Sequence, residues 1–154
     1  MREIVTTSAT RVAEGQRFNC QPFKLNAESA KARSEFEVTF LVDGVRHQYG
    51  FVLTAERMVE DWLLVYKAAK AQQWFRRTFD AASGKDAYEF SVHLTGRRKL
   101  WEESTRANAL FLSTATQLNS ELLRPVFLWI SQNLSVIGAG MQPVFDFTMA
   151  MAGN

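Results

Sequence analysis

Few residues in this chain have the chemistry to act on a ligand, and they are scattered. Cys20, His47 and His93 are its only thiol and imidazole groups. A zinc centre needs three or four ligands at workable spacing, so no metal site is expected. His47 reads as a core or rim histidine. A phosphate-binding P-loop needs two glycines five positions apart followed by Lys and Ser or Thr. The glycines at 15, 44, 50, 84, 96, 138, 140 and 153 contain no such pair. Gly138-Ala139-Gly140 opens like a dinucleotide fingerprint, but Pro143 stands at the third glycine position, and a helix stop is the better reading. Nor does any hydrophobic strand end in Asp-Glu to hold magnesium. Ser113 lacks the flanking glycines of a nucleophile elbow. Glu60-Asp61 and Glu102-Glu103 are adjacent rather than facing, the pattern of solvated surface. Arg76-Arg77 and Arg97-Arg98-Lys99 could contact a nucleic-acid backbone, with Trp74 and Trp101 near for stacking. Their plainer reading is charge that keeps loop ends hydrated. No catalytic residue is assigned.

Composition narrows the class. The 154 residues suit one domain with a sizeable core, and 47% hydrophobic against 22% charged is globular rather than disordered. Twelve Phe and four Trp must be buried in the core or against a partner. Eighteen basic and sixteen acidic residues leave a net charge of +2, too little to argue for nucleic acid alone. A lone cysteine excludes an intrachain disulfide and suggests a reducing cytoplasm. Neither a signal peptide nor an apolar run of membrane-spanning length is apparent, so a soluble, cytoplasmic protein is expected.

Among the elements that must position these groups, Glu35 to Leu53 is the best defined. Its sequence, EFEVTFLVDGVRHQYGFVL, has two alternating runs around Asp43-Gly44, a strong type I′ hairpin signal. With those two as turn residues, Val42 faces Val45, Phe40 faces His47, Val38 faces Tyr49 and Phe36 faces Phe51. All eight fall on one face. The turn and the alternation select the same register, and slipping one strand by one residue would put Arg46 and Gln48 on the apolar side. Phe36, Val38, Phe40, Tyr49 and Phe51 are the expected core residues. A lone hairpin is marginal, so further strands or a helical layer must cover that face.

Residues 1 to 34 read as an irregular lead-in, with Ile4-Val5 finishing a helix and Pro22 to Leu25 a short extended piece. Met58 to Phe79 is ambiguous. Met58, Trp62, Val65 and Ala69 have helical spacing, and KAAKAQQ is rich in helix formers, so periodicity leans to helix. Two strands, Trp62 to Tyr66 and Gln73 to Arg76, are the competing reading. DAASGKDA at 80–87 is a loop, and Tyr88 to Val92 a short strand. Asn108 is the expected N-cap of a helix over Ala109 to Leu118. Ser120 or Arg124 opens a second, with Pro125 in its first turn and Gly138 and Gly140 at its end. The class is α+β: an antiparallel sheet over 35–100, then two or more helices over 101–154.

Several phrases, in this order and spacing, carry a resemblance: SATRVAEGQ, PFKL, FEVTFLVDGVRHQYGF, VEDWLLVY, QQWFRR, TRANALFLSTATQLN and PVFLWISQNL. Together, from about Ser8 to Ile137, they resemble the middle of bacterial AAA-type, ABC-like ATPases related to the OLD, RloA and abortive-infection proteins of phage defence. The resemblance implies a partial ABC-type ATPase domain. Arg2 to Thr7 would be the trailing end of the P-loop helix, Glu35 to Val92 the β subdomain, with Val59 to Tyr66 and Gln73 to Thr78 as strands, and Asn108 to Asn133 the start of the helical lobe. The Walker A, signature and Walker B motifs of such a protein would lie outside this stretch, which would then be inactive alone.

For the parent family the resemblance implies ATP and magnesium as cofactors, and for this chain alone none. It implies as partners the remaining parts of the ATPase, in a parent that could be a homodimer. Gln117, near the handover to the helical lobe, would correspond to a Q-loop glutamine that senses nucleotide. Two further functions compete: a free-standing module that binds a protein partner through its apolar ribbon face and tryptophan-rich surface, and a nucleic-acid-binding module using Arg76, Arg77, Arg97, Arg98 and Lys99.

Overall fold

The computed structural model describes residues 1–18 and 33–135. Within them the chain runs α1 (Arg2–Thr7), β1 (Ser34–Val42), β2 (Val45–Leu53), β3 (Met58–Tyr66), β4 (Gln72–Asp80), β5 (Lys85–Phe90), α2 (Arg98–Ser104), α3 (Phe111–Gln117) and α4 (Arg124–Asn133). The strands form one antiparallel meander in chain order, with α1, α3 and α4 on one face. This is the α+β architecture expected, and the first helix falls where Ile4-Val5 suggested one.

The ribbon adopts the expected register: Phe36 opposite Phe51, Val38 opposite Tyr49, Phe40 opposite His47 and Val42 opposite Val45. Asp43 and Gly44 take φ of 49° and 75°, the left-handed pair that a type I′ turn requires. Phe40, Tyr49 and Phe51 are buried, whereas Phe36 and Val38 are half-buried because, among the described residues, β1 has only β2 beside it in the sheet. The covering layer reaches the ribbon through Trp129 of α4, whose ring stacks on Phe40 with centroids 4.2 Å apart.

Met58 to Phe79 is two strands, contrary to the helical lean of its periodicity. The physical reason is visible in β3. As a central strand it buries Met58, Val59, Asp61, Trp62, Leu63 and Val65, so the polar positions that would mark alternation are absent. In β4 a bulge opposite Leu63 and Leu64 adds a residue and turns Trp74 and Phe75 to the same face. Trp74 meets His47 edge-on, and Phe75 packs on Phe111.

On the open face, the Trp62 indole lies across Gly50, its cross-strand neighbour. A Cβ at Gly50 would sit 2.3 Å from the indole Cζ2, so the absence of a side chain there lets the tryptophan lie flat on the sheet.

The helices differ in detail from expectation. Asn108 does not cap α3, which begins at Phe111 after Leu110. Its end is a Schellman motif: Ser120 N–H donates to Ala115 O at 2.9 Å and Asn119 N–H to Thr116 O at 3.1 Å, with Asn119 at φ 63°. Pro125 sits in the first turn of α4 as expected, but that helix ends at Asn133, ahead of Gly138 and Gly140. Those two glycines, Cys20 and the Pro22 to Leu25 piece lie outside the described residues. The unforeseen element is α2, where Arg98 and Lys99 are helical rather than at a loop end.

Candidate functional site

The most concentrated polar chemistry lies where the segment 106–113 crosses the covered face of the sheet. Three elements are tied together there. From the segment itself, Arg106 Nη2 donates to the carbonyls of Ser8 (3.2 Å), Ala9 (3.4 Å) and Val12 (2.9 Å). Asn108 Nδ2 donates to Ala13 O (2.7 Å) and Gln16 O (3.1 Å). The Ser113 hydroxyl donates to Val5 O at 2.6 Å, and the Leu110 N–H donates to Ser8 Oγ at 3.2 Å. These bonds hold α1 and the turns after it against α3.

The sheet grips the same segment through Asp61 and Arg77, which pair across β3 and β4. Arg77 is fully buried. Its Nη1 donates to Ala109 O at 2.6 Å, and its Nη2 to Arg106 O at 3.1 Å and to Asp86 Oδ2 at 2.8 Å. Asp86 also accepts from Arg57 Nη2 at 2.7 Å, and the Arg57 guanidinium lies 3.3 Å from the Phe79 ring centroid. The network thus opens to solvent at Arg57 and closes on Arg77, whose side chain is 1% exposed.

Asp61, expected at a solvated surface, is instead fully buried. The β pleat explains the error: adjacent Glu60 and Asp61 point to opposite faces, and Asp61 falls on the covered one. Its Oδ2 accepts the Phe111 N–H at 2.6 Å, so this residue of β3 supplies the cap that Asn108 was expected to give α3. Burial pushes its carboxyl up to about 6, against the opposing pull of the Arg77 charge and the Phe111 N–H. The Tyr49 hydroxyl lies close enough to favour the carboxylate, although neither that hydroxyl nor Asp61 Oδ1 has a hydrogen bond of ordinary geometry. Burial, and after it the Asp61 charge, pushes the Tyr49 phenol upward. Chemically this arrangement holds elements in place. Its charges are spent on backbone carbonyls, one backbone N–H and each other.

The sequence-selected residues are not brought together. Arg77 is withdrawn as a nucleic-acid contact because it is buried and paired. Its neighbour Arg76 faces the open side, ion-paired with Glu60 and 5.9 Å from the Trp62 ring. Arg97 is exposed beside α2, Lys99 pairs with Glu103 at 3.8 Å, and Arg98 lies over Phe90 on the helix-covered side, opposite Arg76. Trp74 and Trp101 are buried and present no free ring for a base. His47 is also buried, stacked on Phe40, with Nδ1 2.8 Å from Val45 O, and burial lowers its pKa. Among the described residues no group of three or more His, Cys, Asp or Glu could hold a metal ion, and no helix is long and apolar enough to cross a membrane.

Gln117 ends α3 with its side chain exposed, on the wall of a cavity of about 220 Å³ shared with Ala9, Ser104, Arg106, Thr114 and Leu118. Arg106 and Thr114 were not singled out by sequence reasoning. The signal available was the phrase TRANALFLSTATQ, which contains both. No family model, curated protein or solved structure matches this chain.

Proposed function

We propose that this chain is the β subdomain and adjoining helical segment of a bacterial ABC-like ATPase related to the OLD and abortive-infection proteins, acting in the cytoplasm as a structural and regulatory part. Nucleotide chemistry belongs to the remaining parts of that ATPase, whose cofactors are ATP and magnesium. One observation carries the reading. Three short phrases of the resemblance, distant in sequence, meet in one clamp: Arg106 and Asn108 of TRANALFLS hold the carbonyls of SATRVAEGQ, and Asp61 of VEDWLLVY caps the helix that TRANALFLS begins. A sheet bolted to α1 and α3 in this way suits a scaffold that transmits strain between a nucleotide site and a helical lobe.

The competing interaction-module reading loses part of its two surfaces: Trp129 of α4 stacks on Phe40 of the ribbon, and Trp62, Trp74 and Trp101 are buried, which leaves the half-buried Phe36, Val38 and Trp129. The nucleic-acid reading loses Arg77 and both stacking tryptophans. Calorimetry of the purified chain with magnesium-ATP tests the proposal. No micromolar binding is expected from the chain alone, and ATP hydrolysis is expected when polypeptides carrying the P-loop, signature and Walker B parts of such an ATPase are added. Micromolar ATP affinity of the isolated chain overturns the proposal.

A further inference from the structure

The first strand of the sheet has one open edge. Among the described residues β1 pairs only with β2, along all nine of its residues and without a bulge. Val42 and Val45 flank the two-residue turn as a hydrogen-bonded pair, so bonding to β2 falls on the even-numbered residues of β1. The backbone N–H and C=O groups of Glu35, Glu37, Thr39 and Leu41 therefore point away from the sheet. No Pro, Lys or bulge on this edge discourages a further strand, and Glu35 and Glu37 are its only charges. The apolar row beside it is incompletely covered. Phe36, Val38 and Val42 are half-buried, and so is Trp129, whose ring stacks on Phe40.

We propose that this edge is taken by the chain's own C-terminal segment, Pro143 to Met151, as a sixth, antiparallel strand. The segment lies outside the described residues. It reads PVFDFTMAM, in which Phe145, Phe147, Met149 and Met151 alternate with Asp146, Thr148 and Ala150. In the register with Phe145 opposite Phe40, Pro143 meets Val42 and Met151 meets Ser34, so the segment spans β1 from end to end. The apolar set then extends the Phe36, Val38 and Phe40 row. The same register turns the Pro143 nitrogen away from β1, where no N–H is needed. Asp146 meets Thr39, and Thr148 meets Glu37. A slide of two residues towards Ser34 would set Asp146 against Glu37, and a slide the other way would draw Gly153 into the strand.

The connection is long enough. α4 ends at Asn133, one turn beyond Trp129, and Trp129 touches β1 near the end where an antiparallel partner enters. The residues between Asn133 and Pro143 can extend to about 30 Å, the length of β1 itself. Gly138 and Gly140 lie in that stretch and suit a change of direction. A second copy offering its own β1 would bring two glutamates from each chain into one joint, whereas the segment brings a single aspartate.

The test places Thr39→Cys and Asp146→Cys together in the full chain, with Cys20→Ser removing the native thiol. In the stated register the two Cα atoms are about 5.5 Å apart, a span that a disulfide bridges. Mild oxidation is expected to join them within one chain at least about 10-fold faster than it joins Glu89→Cys to Asp146→Cys, because β5 is the far edge of the sheet. Hydrogen exchange needs no cysteine. The Glu37 and Thr39 amides of the wild-type chain should exchange at least about 10-fold more slowly than in Phe147→Asp, which puts a charge on the apolar side of the segment. Equal exchange in the two proteins, or cross-linking no faster than the control pair, overturns the proposal. So does a disulfide between chains, or protection that vanishes on dilution alongside a dimer in sedimentation, either of which gives the edge to a second copy. None of these results bears on the scaffold role, which fails on micromolar ATP affinity.

Discussion

Replacing Asp61 by Asn should change how stability depends on pH, in a direction opposite to most carboxylates. Burial raises the Asp61 carboxyl from the ordinary 3.8 to about 6, and Arg77 and the Phe111 N–H only partly offset this. The folded state therefore holds a proton at Asp61 that the unfolded chain releases. The Asp61 contribution is fully present below the unfolded value of 3.8 and is lost as pH rises through about 6. Two pH units of separation correspond to a change of about 3 kcal/mol. Asn imitates the protonated carboxyl: its oxygen can accept the Phe111 N–H, and its amide can donate to the Tyr49 hydroxyl. Wild-type stability minus that of Asp61→Asn is accordingly expected to fall by about 2 to 2.5 kcal/mol between about pH 4 and pH 7, most of that full change. Above the upper limit the variant should be the more stable.

Urea unfolding followed by tryptophan fluorescence, at about pH 4, 5, 6 and 7, measures this difference directly. Taking the difference matters, because His47 titrates in the same range with the opposite sign. A difference that stays flat with pH, or that moves in favour of the wild type as pH rises, would refute the reasoning. Asp61→Ala separates capping from charge. It leaves the Phe111 N–H unpaired in a buried site and should cost about 1–3 kcal/mol at pH 4, where the carboxyl is mostly neutral.

Arg77→Met should cost about 3–5 kcal/mol in the same unfolding assay, since it strands Asp86 and the carbonyls of Arg106 and Ala109. A loss under about 1 kcal/mol would show that Arg57 compensates alone. Gly50→Ala should destabilise by about 1–3 kcal/mol through contact with the Trp62 ring, and should be nearly neutral in a Trp62→Ala background. Additive costs in that double-mutant cycle would place the strain elsewhere. His47 is held below its ordinary pKa of 6.5 by burial, so its contribution is present above that value and is lost as pH falls through the lower folded value. His47→Phe should remove that acid-side loss, measurable as a flatter stability profile below about pH 6.5.

What could be read from the sequence was whatever two independent local signals specified. The hairpin register followed because a turn that needs two left-handed residues and an alternation of period two agreed on one pairing. β3 and β4 defeated pattern reading for the opposite reason: burial on both faces of β3 and the bulge at Trp74 erase the period that names a strand. Their assignment as strands came from the resemblance rather than from periodicity. The clamp was illegible because each of its bonds joins distant residues. Asp61 and Phe111 are 50 positions apart, and Arg106 and Val12 are 94 apart. Asn108 has the right chemistry for a cap, and only the tertiary arrangement reveals that its amide holds the turn after α1 instead. Adjacent basic residues misled in the same way, since a strand sends Arg76 and Arg77 to opposite faces.

The clamp also explains why so many charges are buried in a sheet whose aromatic core could be closed without them. Arg77 and Asp61 are removed from water, with Asp86 and Arg57 behind them, and replacing such a group with apolar residues of equal volume often costs nothing. The cation and carboxylate instead define one docking position for the 106–113 segment. A purely apolar contact between β3, β4 and α3 would tolerate sliding by a fraction of a turn, whereas Arg77 requires the carbonyls of Arg106 and Ala109 in fixed places and Asp61 requires the Phe111 N–H. Arg106 then sets α1 by the same rule. Movement of α1 must therefore either carry the sheet with it or break several charge-assisted bonds at once, and this stiffness is what a segment relaying force between two working parts would need.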